Sequence, residues 1–188
     1  MVEIEAGCDG QPGLATLESS DAALVGQMFR RLSAQSIYWR FFSPVSRPDL
    51  IQQSVRELNH RDREAVGAVV GGELVGVAQY VRRPGGSQAQ LAIVIVDEWQ
   101  RQGLGTRMVA ALAQRALEEG IDSFAVDIQG DNYAALKLFK RVAPGARLTY
   151  SAGVGEGVIA LSYPAARECV IPAPPAIERR NETATHIR

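Results

Sequence analysis

The stretch VDEWQRQGLGTRMVAAL, residues 96–112, restricts this chain more than any other part of it. The apolar run that precedes it reads as a strand, SQAQLAIVIV, whose continuously apolar tail suits a strand covered on both faces. After the glycines the chain reads as an amphipathic helix from Leu104 to Glu119, with Gly120 as its C-terminal stop. The backbone N–H groups of residues 102–106 then lie at a helix entrance, where the first-turn donors have no internal partner and carry the positive end of the helix dipole. Phosphate oxygens fit such a place. Gly103 and Gly105 lack the Cβ atoms that would hold a diphosphate away, and Gln100, Arg101 and Arg107 add charge or hydrogen bonds around it. Two familiar phosphate motifs are excluded. The Walker pattern needs Lys followed by Ser or Thr, where this chain has Thr106 and Arg107, and the dinucleotide fingerprint needs a third small residue where Met108 stands. The alternative is a turn with small residues for close packing. Strand before, helix after and three long polar side chains favour diphosphate binding.

Composition bounds the rest. A chain of 188 residues fits one domain, expected over residues 1–165, with a Pro-rich and polar tail over 166–188 that is expected to be loosely ordered. A formal net charge of −1 gives no sign of a nucleic-acid partner. No apolar run approaches the roughly 20 residues that span a bilayer, and the N-terminus is unlike a signal peptide. Cys8 and Cys169 lie far apart, and His60 and His186 are the only histidines, so neither a disulfide framework nor a metal site is expected. The expectation is a cytoplasmic protein.

The order of elements points to an α+β layout. Residues 14–18 read as a short strand, AALVGQMFRRLS and AQSIYWRFF as helices, and RPDLIQQSVREL as a third helix. EAVGAVV and ELVGVAQYV around Gly71-Gly72 read as a hairpin, the glycines supplying positive φ. After the glycine loop and its helix come a strand, DSFAVDI, a helix capped by Asp131 or Asn132, and a closing hairpin of ARLTYS and GVIALSY around residues 153–157. Helices first, then an antiparallel meander, then one β–loop–α–β–α crossover, is not a doubly wound arrangement.

Three segments together carry a family resemblance. Gln100-Arg101-Gln102-Gly103-Leu104-Gly105 is similar to the Q/R-x-x-G-x-G/A loop of the GNAT superfamily of N-acetyltransferases. Asn132 with AALKLFKRV resembles that family's N-x-x-A-x-x-L-(Y/F) helix, and RRLSAQSIYWRFFSP resembles a segment of bacterial protein-lysine acetyltransferase-type GNAT domains. The resemblance covers residues 14–163. It implies a single GNAT-type domain: a mixed, mostly antiparallel sheet with splayed central parallel strands, flanked by helices. It implies acetyl-CoA as acyl donor, its diphosphate held at Gln102, Gly103, Leu104, Gly105 and Thr106 with Gln100, Arg101 and Arg107 around it, and Asn132 bordering it. The pantetheine would pair with the backbone of residues 93–96, an N–H at Ile95 or Val96 polarising the thioester carbonyl. The acceptor is then an amine, of a protein lysine or of a small molecule, with a homodimer left open. The competing reading is a regulatory module that binds acetyl-CoA without chemistry.

Acetyl transfer requires the amine to lose its proton, because a lysine ammonium of pKa ~10.4 is no nucleophile at neutral pH. Relatives with the RFF segment commonly carry Glu on the fourth strand, where this chain has Gln90, and Tyr on the helix after the Asn, where it has Phe139. An amide accepts no proton at neutral pH, which leaves Gln90 to orient a water or the amine. Asp127, opposite Phe124, Val126 and Ile128 in the strand alternation, is the carboxylate placed to face the splay; a solvated strand-end Asp is the alternative. Asp97, Glu98, Glu73 and His60 are expected to be solvated or loop-capping.

Overall fold

The computed structural model describes residues 11–43, 48–83 and 85–162. Seven strands form one sheet: β1 (Gly13–Thr16), β2 (Arg63–Val70), β3 (Glu73–Arg82), β4 (Gln88–Ile95), β5 (Ser123–Gln129), β6 (Thr149–Ser151) and β7 (Val154–Ala160). Their spatial order is β1-β2-β3-β4-β5-β7-β6. All neighbours are antiparallel except β4 and β5, which run parallel because the chain returns through a helix rather than a turn. The helices are α1 (Ala22–Phe29), α2 (Ala34–Phe41), α3 (Pro48–Arg56), α4 (Leu104–Glu118) and α5 (Tyr133–Val142). No helix among the described residues is long and apolar enough to cross a membrane.

Two cores sit on the two faces of the sheet. One packs Leu104, Met108 and Leu112 of α4 and Phe139 of α5 against Ala78, Tyr80, Leu91 and Phe124. The other packs Val25, Met28 and Phe29 of α1 and Val55 of α3 against Val77, Val94 and Val96. Strands β2 and β3 are buried over nearly their whole length, as residues covered from both sides must be. The alternation on β4 separates the two cores: Ala89 and Leu91 serve the α4 side, Val94 the α1 side.

The pairing of β4 with β5 decides the rest. It covers three positions only: Gln88 with Ser123, Ala89 with Phe124 and Gln90 with Ala125. Beyond Gln90 the strands part, while β4 stays paired with β3 as far as Ile95 against Gly76. The expected splay is therefore present, and it begins at Gln90.

Three sequence expectations are corrected. Ser33 does not close the first helix. That helix stops at Phe29, and the Ser33 hydroxyl accepts from the Ser36 N–H at 3.2 Å to start α2. The last hairpin turns at Ala152-Gly153, not across residues 153–157. Gly155 and Gly157 lie inside β7, and a Cβ at Gly157 would stand 2.6 Å from the Leu148 side chain and 3.0 Å from the Phe139 ring. His60 lies in a loop and is partly exposed, but it is held between two carboxylates rather than freely solvated. Its Nδ1 lies 3.1 Å from Glu64, which is buried, and its Nε2 lies 3.2 Å from Glu18. Cys8, Cys169, His186 and the tail from residue 166 fall outside the described residues.

Candidate active site

The chain leaves β4 through a 3-10 turn, Asp97–Trp99, and reaches α4 through residues 100–103. Two of those residues have positive φ: Arg101 at 60° and Gly103 at 81°. Gly103 is required by that backbone, since a left-handed conformation is costly with a Cβ and open space surrounds its Cα. Gly105 is small for a different reason. A Cβ there would meet Leu138 at 3.1 Å and Ile95 and Ile93 at 3.6 and 3.7 Å, so its smallness lets α4 approach α5 and β4. The N–H groups of Thr106 and Arg107 both donate to the Gly103 carbonyl, at 3.1 and 3.3 Å. Among the described residues, those of Gln102 to Gly105 have no backbone or side-chain acceptor, which narrows the expected donor set from 102–106 to 102–105.

A cavity of about 760 Å³ runs from this loop along β4 to α5, lined among others by Ile93, Ile95, Arg101, Gly103, Thr106 and Asn132. Leu104 lies in the core, where it anchors the start of α4. The side chains expected around a diphosphate take separate places. Arg101 lines the cavity, and Gln102 donates to the Glu98 carbonyl at 2.7 Å. Arg107 reaches Gln11 at 3.4 Å, and Gln100 donates to Ser36 at 3.1 Å and to the Ile95 carbonyl at 2.9 Å. Gln100 therefore braces the parted end of β4. Lys137 and Arg141 on α5 line the same cavity and were not expected. Their i,i+4 spacing after Asn132 was the available signal, because it puts both cations on one face of that helix.

The register of β4 sorts its backbone groups. The Val96 N–H donates to the Val75 carbonyl at 2.9 Å, so Val96 is committed to β3. Alternation along an antiparallel strand then directs the N–H groups of Ile93 and Ile95 the other way, toward the gap that β5 has left. Of the two donors expected from sequence, Ile95 is the one that faces the opening. Asn132 caps α5, its side chain accepting from the Ala135 N–H at 3.0 Å, and it borders the cavity from the far wall.

A second cavity of about 370 Å³ lies at the closed end of the splay. Gln90 and Asp127 both line it, and Gln90 Nε2 donates to Asp127 Oδ2 at 3.1 Å. Both are exposed and stand on the face opposite Ala89, Leu91, Phe124, Val126 and Ile128. The carboxylate is thus held against the amide at the point where β4 and β5 separate. Phe139 is buried and forms part of the wall with no hydroxyl.

Helix α2 bridges the opening. Ser33 and Ser36 donate to Asp97, their hydroxyls at 2.7 and 2.9 Å and the Ser33 N–H at 3.0 Å. Burial opposes the charge on Asp97, but these bonds outweigh it and hold its pKa below the ordinary value. Farther along α2, Trp39 Nε1 donates to Asp131 at 3.0 Å on the β5 side. Asp97, expected as a loop cap, is therefore the anchor of this helix. Among the described residues no cluster of His, Cys, Asp or Glu could hold a metal ion.

A mixed sheet opened beside its parallel pair, with free N–H donors at the adjoining helix entrance, forms a cleft for a long ligand with an anionic head. Residues 31–143 match the Acetyltransferase (GNAT) family, and the chain belongs to it. The fold is similar to the GNAT domain of S. lividans PAT, with 21% identity over 80% of this chain and 90% of that one and a TM-score of 0.72. It is also similar to spermidine N-acetyltransferase from Vibrio cholerae, solved with CoA and spermine (15% identity, 81% and 97% covered, TM-score 0.59). A third match is PaiA N-acetyltransferase from Thermoplasma acidophilum in complex with coenzyme A (12% identity, 78% and 98% covered, TM-score 0.64).

Proposed function

We propose that the chain is an acetyl-CoA-dependent N-acetyltransferase whose acceptor is a protein lysine. The observation that carries this reading is the continuity of unused backbone groups, from Ile93 and Ile95 in the parted strand to Gln102–Gly105 at the α4 entrance. A pantetheine needs the first set and a diphosphate the second. Arg101, Lys137 and Arg141 supply positive charge along the same cavity, which suits a phosphorylated donor.

Acetyl-CoA, when bound, supplies the activated acetyl thioester. The chain's own groups supply the rest. The Ile95 N–H is a fixed donor beside the opening, and a preorganised donor of this kind is worth more in a cleft than in water. Asp127 accepts the proton of the incoming ammonium, and Gln90 holds that carboxylate in place through its amide. As the amine nitrogen bonds to the acetyl carbon the C–S bond breaks, and the thiolate leaves to take its proton from solvent. The alternative of a binding module without chemistry draws on Phe139, which offers no proton to a departing thiolate. Two measurements divide the readings. Calorimetry should show acetyl-CoA binding, and acetylation of lysine peptides should proceed near neutral pH. Binding with no transfer to any amine would leave the module reading standing.

A further inference from the structure

Among the described residues, Arg40 is a cation with no anion. It lies on α2 four residues after Ser36, on the helix face that meets the cleft, and lines both cavities. Within the same residues it makes no hydrogen bond and no ion pair; it packs against the Phe41 ring, whose centroid is 5.3 Å from its guanidinium carbon. Burial pulls its pKa down to about 10. Arg40 is half-buried, and a guanidinium drawn partly out of water is normally matched by a carboxylate or by several acceptors, because an uncompensated one is costly to keep. In the smaller cavity it shares the wall with Asp127 and Gln90, so one chamber presents a cation and a carboxylate to the same guest.

We propose that Arg40 selects acceptors carrying a carboxylate close to the reacting amine, in practice a lysine with an acidic neighbour in sequence. The ammonium is drawn to Asp127 while the neighbouring carboxylate docks on Arg40, whose planar fork matches a carboxylate through two parallel hydrogen bonds. This inference rests on the proposed lysine acetyltransferase reading and adds the class of acceptor.

The test uses two otherwise identical peptides with a single lysine flanked by Glu or by Gln. Wild type, Arg40→Met and Arg40→Lys are each assayed with acetyl-CoA. Wild type should favour the Glu peptide by about tenfold in kcat/KM, the order expected of one half-buried charge pair. Arg40→Met should remove the preference by slowing the Glu peptide alone, with acetyl-CoA affinity by calorimetry unchanged. Arg40→Lys should keep part of the preference. Arg40→Met should melt no lower than wild type, since it deletes an uncompensated charge and keeps much of the stem. An equal preference in wild type and Arg40→Met overturns the proposal. So does weaker acetyl-CoA binding in Arg40→Met, which would give Arg40 to the donor. A gain with succinyl-CoA over acetyl-CoA that Arg40→Met abolishes would place the carboxylate on the acyl group and also overturn it. Peptide binding to the CoA-loaded protein gives a readout without turnover. An Arg40-dependent preference in binding with no transfer sinks the transferase reading alone, whereas equal rates and equal binding for both peptides sink the inference alone.

Discussion

At the α4 end of the cleft the free directional donors are backbone N–H groups, those of Gln102–Gly105 and of Ile93 and Ile95, with Arg101, Lys137 and Arg141 adding charge around them. At the Gln90 end they are side chains brought from three elements: Gln90 from β4, Asp127 from β5 and Arg40 from α2. The first end is written in one contiguous stretch of chain, so its recognition is tolerant of side-chain identity but not of backbone geometry. The second end depends on residues far apart in sequence, and there each side chain matters individually. In the proposed reaction the donor is a constant and the acceptor a variable, and the division of material would follow that division of labour.

The contrast between the two ends breaks most sharply at Asp127. Asp127→Asn should lower transfer near neutral pH by ~10²–10⁴-fold, the usual worth of a general base, while acetyl-CoA affinity by calorimetry stays as in wild type. Gln90→Glu is the finer probe. With a second carboxylate at the position now 3.1 Å from Asp127, both cannot ionise freely, so the pair takes up a proton at higher pH. The rate profile should move to higher pH rather than simply rise. An unchanged profile would show that the two side chains do not act together during transfer.

At the other end a backbone defect should do what a side-chain change does not. Gly103→Ala places a Cβ in open space but at a φ of 81°, so the free loop should relax out of that conformation, and restoring its ~1–2 kcal/mol strain on binding should weaken acetyl-CoA affinity by ~5–30-fold. Gly105→Ala meets Leu138 at 3.1 Å, so its first effect should be a lower melting temperature. Equal affinity in wild type and Gly103→Ala would show that the loop backbone does not shape the donor site.

The smallest effect is expected away from the cleft. Burial opposes the charge on His60, but hydrogen bonds and charges from Glu64 and then Glu18 outweigh it, so its pKa stands above the ordinary 6.5. A group with a raised folded pKa stabilises fully below its unfolded value, and that contribution disappears as pH rises through the folded value. Thermal melts should therefore show wild type losing a small increment of stability above pH 6.5 that His60→Gln does not lose. Transfer rates of the two proteins should agree at each pH, since His60 touches neither cavity.

The same contrast explains how much of the molecule is legible in its sequence. The glycine loop is legible because strand, turn and helix follow each other without interruption, and hydrophobic periodicity marks each. The parted strands are legible only through family resemblance, since nothing in the apolar run of residues 91–96 says where pairing with a distant strand ends. Asp127 is singled out by alternation, yet its bond to Gln90 arises from a register of two strands 37 residues apart. Arg40 and Trp39 sit in a helix whose aromatic content reads as core, and their place over the opening comes from the anchors at Asp97 and Asp131. Gly105 shows the limit of local reading. Its motif suggests room for a ligand, whereas its Cβ position is filled by another helix.

The short pairing of β4 with β5 has one more consequence. The four strands β1–β4 and the three strands β5–β7 are each antiparallel blocks whose longest ladders run to eight and seven positions, and the blocks meet through three register positions. Long ladders make cooperative blocks, and a three-residue seam is a poor conductor of that cooperativity. Within the one sheet, backbone pairing between the two blocks is therefore short, and they are joined mainly by the core that α4 and α5 build across both. A guest in the larger cavity, lined by β4 on one side and α5 on the other, would add contacts across the seam that the chain itself leaves short.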